Sequence, residues 1–503
     1  MAITSGVIGS PTPDTAHVEH GIQWHRGDID AAFAQAKVEN KPVFLYWGAV
    51  WCPPCNQVKA TIFNRQGFIE RSRHFVPVYL DGDSPNGQML GARFKVRGYP
   101  TMILFKPDGT EITRLPGEVD VERYLDVLAL AMNATRSVKD LLRAAGKGAQ
   151  LTSEEWRLLA DYSWDTDEEQ LITRKQLPET LTRLAKAAPA GGSKTRLTLK
   201  AIAAAAGAKS AFSVSEKSAA HEQLLQVFAD PRLARDNMDL LTNDAANLVE
   251  SVSAPQSPER GSLTAAASGA LQRLATDSTL SATDRLTALD SRVVLARLDH
   301  EGPLDKTLLK EVRRQVATID HATIDTYERQ SVINAAAGVL ADAGLADASD
   351  ALLKAELKRS HSPYYFMLHL ASNARKRGDK KEAIRWYAEA YKTAKGPATR
   401  LQWGVSYLNG LLDLAPEDEK RIEQVARSVF GELSGMRSAF YERNLASLEK
   451  LGRKLAQWNA MGDHDAAIKR MSDQLSNICA RLPEGDAQRA PCKSMVDTAR
   501  AKI

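Results

Sequence analysis

The chain divides into two classes of structure: an α/β domain with a mixed sheet over about residues 22–135, and a large all-α region with helical-repeat character over the remainder. Three observations predict this. Before residue 135, apolar runs of strand length (43–47, 75–80, 101–105) alternate with helical patterns. Beyond Thr135 strand-like alternation almost vanishes, and helical stretches are cut by Gly, Pro or Asn/Asp. From residue 330, small residues, a Gly and a Pro recur at a spacing of 34.

The elements follow in order. Residues 1–21 read as a flexible polar tail with Pro11 and Pro13. Ile29, Ala32, Phe33, Ala36 and Val38 share a helical face that Asn40 and Pro42 terminate. Val43-Phe44-Leu45-Tyr46-Trp47 is a buried strand, and a helical pattern starts at the cysteines and runs to Ser72. A second strand spans 74–81, where Pro77 marks its start or an edge. A short helix follows in SPNGQMLGARFKV, then the strand Thr101–Phe105, joined by KPDGT to EITRL as a hairpin. The amphipathic VDVERYLDVLALAMNAT closes the unit, and the mixed sheet should be covered on both faces.

Cys52-Pro53-Pro54-Cys55 lies where strand changes to helix. Two intervening residues let the thiols meet in a small ring, and a helix N-terminus favours a thiolate at Cys52. Cys52 is expected to be the exposed member, with Cys55 placed to resolve a mixed disulfide. A zinc site needs about four ligands, and no Cys or His stands at a partner spacing. Asn56 occupies the position where a c-type haem motif needs His. No cofactor or metal is expected. Tyr99-Pro100 precedes a strand. If its peptide bond is cis, the Tyr99 backbone is left to pair with an extended partner near Cys52; the alternative is an ordinary trans turn.

WCPPC before a helix, VRGYPT before a strand, the FKPDG hairpin and Gly117 together resemble the thioredoxin superfamily. The longer lead-in with Trp24 looks like thioredoxin-like domains of exported bacterial proteins, including the C-terminal domain of the DsbD reductase, and VRGYPT is also similar to protein disulfide isomerase domains. The resemblance covers about residues 22–135. It implies thiol–disulfide exchange with Cys52 attacking and Cys55 resolving, and a partner groove formed by Trp51, Pro53, Pro54, Tyr99, Gly117 and a cis Pro100. Three positions depart from it. Tyr46 stands where thioredoxin carries a buried Asp, and its companion Lys falls at about Tyr79, so Asp81, Asp83, Glu70 or a water must manage the proton of Cys55. Pro53-Pro54 offers no His to stabilise the thiolate, which leans toward a reductase or exchange role over a strong oxidase. Ala60 replaces the usual mid-helix Pro.

With 503 residues, 44% of them hydrophobic, the chain can bury several cores, and a net charge of +4 implies no nucleic-acid partner. No apolar run is long enough to span a membrane. The N-terminus as written is not a signal peptide; it suits the start of a mature exported chain whose leader is absent. Cys479 and Cys492 enclose a short loop and read either as a structural disulfide or as two unrelated buried thiols. The even cysteine count tilts toward a periplasmic or otherwise exported location, with the cytoplasm as the alternative. His17, His20 and His25 read as a polar tail or a weak metal cluster.

The helical remainder splits into an all-helical domain (136–325) and a repeat region (326–503). Thr152 and Glu155 form a capping box, and residues 252–261 form a loop. Gly344 and Gly378, Ala337 and Ala371, and Pro363 and Pro397 are each 34 apart and resemble an irregular tetratricopeptide repeat. Trp386, Tyr387, Tyr391, Trp403 and Tyr407 serve either core packing or a peptide groove. The expected function is a thiol–disulfide oxidoreductase whose helical repeats recruit protein partners: disulfide-bearing or dithiol substrates and an upstream redox partner. The rival is a scaffold or chaperone-like binding protein that uses the α/β domain for docking.

Overall fold

The computed structural model describes residues 21–26, 28–117, 120–208 and 214–501, so the expected tail lies almost wholly outside it. In order, the first unit contains β1 (His25–Arg26), α1 (Ile29–Glu39), β2 (Val43–Gly48), α2 (Pro53–Val58), α3 (Gln66–Ser72), β3 (Val76–Asp81), α4 (Pro85–Phe94), β4 (Thr101–Phe105), β5 (Glu111–Leu115) and α5 (Val121–Met132). The strands form one sheet in the order β1-β3-β2-β4-β5. β1, β3 and β2 are parallel, whereas β4 and β5 run antiparallel to their neighbours.

The period of two along β2 decides which face each side chain covers. Val43, Leu45 and Trp47 pack with Ile29, Ala32 and Phe94 of α1 and α4, while Phe44 and Tyr46 pack with Phe63, Phe68 and Tyr124 on the other face. Both faces are therefore covered, as a mixed α/β sheet requires. Asn40 ends α1 in the left-handed conformation at φ 51°. Pro77 sits in β3 one residue before β1 pairing begins at Val78, so its missing N–H breaks no bond to that strand.

Two local expectations are corrected. The helix after the cysteines is not continuous: α2 passes into a π-helical turn, Lys59–Phe63, and a break at Asn64–Arg65 precedes α3. The irregularity falls at Ala60, where the resemblance leads one to expect Pro. The expected loop at 252–261 is shorter, because Ser257 caps a helix Pro258–Thr276 that has Pro at its first turn.

From 138 to 500 the described residues form helices joined by turns, with an irregular stretch at 162–176 and no strand among them. The capping box at Thr152 and Glu155 is present. Gly344 and Gly378 both adopt positive φ, 80° and 78°, after helices Thr326–Asp342 and Pro363–Lys376. From Thr326–Asp342 to Glu419–Glu432 each helix packs against the next in the chain, whereas Glu442–Trp458 packs against Pro397–Leu414 and Arg489–Arg500. The core under the sheet does not stop at residue 135. Tyr124 and Leu128 share one apolar cluster with Trp156, Leu159, Leu184 and Leu197. The division drawn from the sequence at that point is one of secondary structure and not of packing.

Candidate active site at the Cys52–Cys55 pair

Cys52 is the N-cap of α2, and its Sγ accepts a hydrogen bond from the Cys55 backbone N–H at 3.1 Å. Pro53 and Pro54 fill the first turn, where a missing N–H is harmless. Cys52 and Cys55 are bridged, with a Cα separation of 5.2 Å. The Asn56 side-chain amide donates to the carbonyls of Val50 and Cys52 (2.9 and 3.0 Å) and fixes the loop between β2 and α2.

Trp51 donates its indole N–H to Asp83 Oδ2 at 2.5 Å. Tyr99 brings its ring within 6.2 Å of the Trp51 ring and accepts from Gln88 at 2.9 Å. A Cβ on Gly82 would collide with that Tyr99 ring, so glycine is needed there for the close approach. The Tyr99–Pro100 bond is cis, and Gly117 lies beside the Pro100 ring. Tyr99, Pro100 and Gly117 line one side of a cavity of about 610 Å³; Trp164, Lys200 and Asp239 of the helical region line the other. Pro53 and Pro54 line a second cavity of about 240 Å³, facing Asp290 and Asn334. The groove residues expected from the sequence are thus divided between two cavities, Tyr99, Pro100 and Gly117 lining one and Pro53 and Pro54 the other, and both are shared with helices that the sequence did not tie to them.

That pairing overturns one expectation. Cys52 is 2% exposed, no more open than a core residue, and Cys55 is fully buried. The local geometry points Cys52 to the helix end as expected. Ile333, Phe366, Met367 and Trp403 of the helical region then close over it in one apolar cluster with Ala49 and Trp51.

The proton-handling candidates now separate. Glu70 is exposed and accepts from Gln66 on the far side of α3. Asp83 is committed to Trp51 and to the hydroxyl of Thr399. Asp81, at the end of β3, accepts from the Asp83 backbone N–H. Burial, reinforced by the Asp83 charge, lifts its carboxyl to about 6. The sequence reading missed its counterpart, Lys59. Burial lowers this ammonium to about 8, opposed by the Asp81 charge, and it lies 5.6 Å over the Tyr79 ring. Its signal was a Lys one turn past Cys55, on a face otherwise made of Val58, Ile62 and Phe63. Tyr46 and Tyr79 stack with ring centroids 5.4 Å apart, and burial raises both hydroxyls. Lys59, past α2, and Asp81, at the end of β3, are the interacting charges here, whereas the resemblance led one to expect an Asp on β2 and a Lys on β3.

Cys479 and Cys492 are bridged at a Cα separation of 5.7 Å and link helices Asp465–Ala480 and Arg489–Arg500. Trp386, Tyr391, Trp403 and Tyr407 are buried, which favours packing over an open groove. Among the described residues no group of three or more His, Cys, Asp or Glu is placed to hold a metal ion, and no helix is long and apolar enough to cross a membrane. His25 contacts Gln35 at 2.9 Å; His17 and His20 lie outside the described residues.

A family model described as a thioredoxin-like domain matches residues 29–131. The thiol:disulfide interchange protein DsbD of Pseudomonas fluorescens is 30% identical over 115 residues, which are 22% of this chain and 20% of that protein. The chain thus spans about a fifth of the length of that relative. Thioredoxin of Mycobacterium bovis is 35% identical over 89 residues, covering 18% of this chain and 72% of that protein. Among solved structures, a DsbH oxidoreductase aligns at 20% identity and a TM-score of 0.21, over 26% of this chain and 94% of its own. With its cysteine pair at a strand–helix junction and a cis-proline loop beside it, the chain belongs, through this N-terminal domain, to the thioredoxin family.

Proposed function

We propose that the protein is a thiol–disulfide oxidoreductase acting on protein disulfides, as a reductase or exchange enzyme. The observation that carries this reading is Cys52 Sγ at the N-cap of α2, accepting the Cys55 N–H at 3.1 Å. That donor and the helix end favour the thiolate. In the reduced enzyme the Cys52 thiolate attacks one sulfur of a partner disulfide; a mixed disulfide forms and one partner thiolate leaves. Cys55 then attacks Cys52 sulfur, the Cys52–Cys55 disulfide forms, and the second partner thiolate leaves. Two electrons have passed to the partner, and an upstream dithiol restores the pair by the reverse exchange.

In this reading the helical region, with its tetratricopeptide-like pairs, recruits or restricts partners, and the protein works in an exported, oxidising compartment. The second bridge and the likeness to DsbD support that location. A second reading, a binding module in which the α/β domain only docks, is favoured by the burial of Cys52.

Insulin reduction by the wild type and by Cys52→Ser separates the two. Turnover that vanishes on substitution supports the enzyme; equal inactivity of both, in a chain whose reduced Cys52 reacts with alkylating reagent, supports the binding module. Trapping on Cys55→Ser would retain the mixed disulfide and reveal partner and compartment together.

A further inference from the structure

The helical region does more than flank the cysteines: it occupies the ground a partner would need. Tyr365 stacks on the Trp51 indole at 5.7 Å and 19°, and Trp403 meets the same ring edge-on at 4.9 Å. The Arg443 guanidinium lies 5.1 Å over Trp51 and 5.3 Å over Tyr99, bridging the two sides of the expected groove. The backbone is taken as well. His361 Nε2 contacts the Val50 carbonyl at 3.1 Å, and the Gln330 amide donates to the Trp51 carbonyl at 3.4 Å. An attacking sulfur must reach the Cys52 sulfur itself, and at 2% exposure none can.

Resting on the oxidoreductase reading, we infer that the helical region is a built-in lid on the redox pair, and that exchange with a protein partner requires the lid to leave Trp51. Two features make this contact separable and unlike a permanent core. Polar groups run among its rings, and it buries Asp83 with Oδ1 unpartnered while Trp51 and Thr399 donate to Oδ2, a cost that a released loop would recover in water. It is also discontinuous. Cavities of about 610 and 240 Å³ lie between the same two bodies, and the ties beyond the Trp51 cluster, Arg97 with Glu442, Gln88 with Asn444 and Gln57 with Asp284, are polar.

The test uses the full chain. After reduction, Cys52 is alkylated in Cys55→Ser with iodoacetamide and with a maleimide carrying a large polyethylene glycol, each rate normalised to the urea-unfolded chain. A lid predicts that the bulky probe is slowed more than the small one. It also predicts that Trp403→Ala or Arg443→Ala narrows that difference by about tenfold, as truncating a well-buried interface anchor does. Equal normalised rates in the wild-type background overturn the lid, as does an unchanged ratio in variants that keep their circular dichroism. Should those variants fail to fold, hydrogen exchange of the wild type decides. Exchange at 49–57 through an opening smaller than global unfolding supports the lid, and exchange there only with β2 overturns it. The two readings fail separately. A lid substitution that opens Cys52 to the bulky probe in the Cys55→Ser chain, yet leaves insulin unreduced when Cys55 is present, keeps the lid and loses the enzyme; efficient insulin reduction by the chain with both cysteines, with unhindered alkylation in every variant, does the reverse.

Discussion

Thr399 and Trp51 donate to the same atom, Oδ2 of Asp83, although one belongs to helix Pro397–Leu414 and the other to the loop before α2. Burial raises this carboxyl, and the two donors hold it down. Thr399→Val should therefore cost about 1–3 kcal/mol, the penalty for weakening the partners of a buried charged group. Thr399→Val and Asp83→Asn should couple by at least about 0.5 kcal/mol in a double-mutant cycle read from urea melts. Strict additivity would show that the shared oxygen holds nothing together.

Asp81 gives a pH signature. Its folded value of about 6 lies above the ordinary 3.8, so the fold prefers the protonated acid. The stability this contributes is complete below about pH 4 and is lost as pH rises through about 6. Asp81→Asn does not titrate. It should gain on the wild type by up to about 3 kcal/mol between about pH 4 and pH 7. Denaturation curves that stay parallel across that range would remove Asp81 from the buried set.

Arg114 is a buried polar tie of the α/β domain. It has no exposed surface, and its guanidinium serves the carbonyls of Phe94, Lys95 and Thr166 and the carboxylate of Glu111. Arg114→Met strands all four acceptors, and a loss of about 3–5 kcal/mol is expected in equilibrium unfolding. Arg114→Lys should recover little, because an ammonium cannot reproduce the planar fork. Full recovery with Lys would mean that charge alone is required.

The bridge between Cys479 and Cys492 closes a loop with a sequence separation of 13. Replacing both by Ala should cost about 2–4 kcal/mol. Thermal melts of the double variant under oxidising conditions check this, and wild type under reducing conditions should approach it. A melt identical to wild type would mean the loop is already held by its helices.

What the sequence made legible was local. The cysteine pair at the strand–helix junction, the Asn40 stop, the Thr152–Glu155 box and the glycines at 344 and 378 each signal through near neighbours, and each stands in the structure. The π-helical turn at 59–63 was not legible, because a buried Lys59 and an apolar face suit either winding. Nor was the covering of Cys52. Tyr365, Trp403 and Arg443 sit in ordinary amphipathic helices, and nothing in their spacing says that Trp51 is what they face.

The apolar cluster that joins Tyr124 and Leu128 to Trp156, Leu184 and Leu197 bears on how this protein can be dissected. A fragment cut where the strands end would carry a raw greasy flank into water and should clump or melt early. A transplantable redox cassette has to extend at least through the helix Gly192–Gly207, well past the point where the strands end.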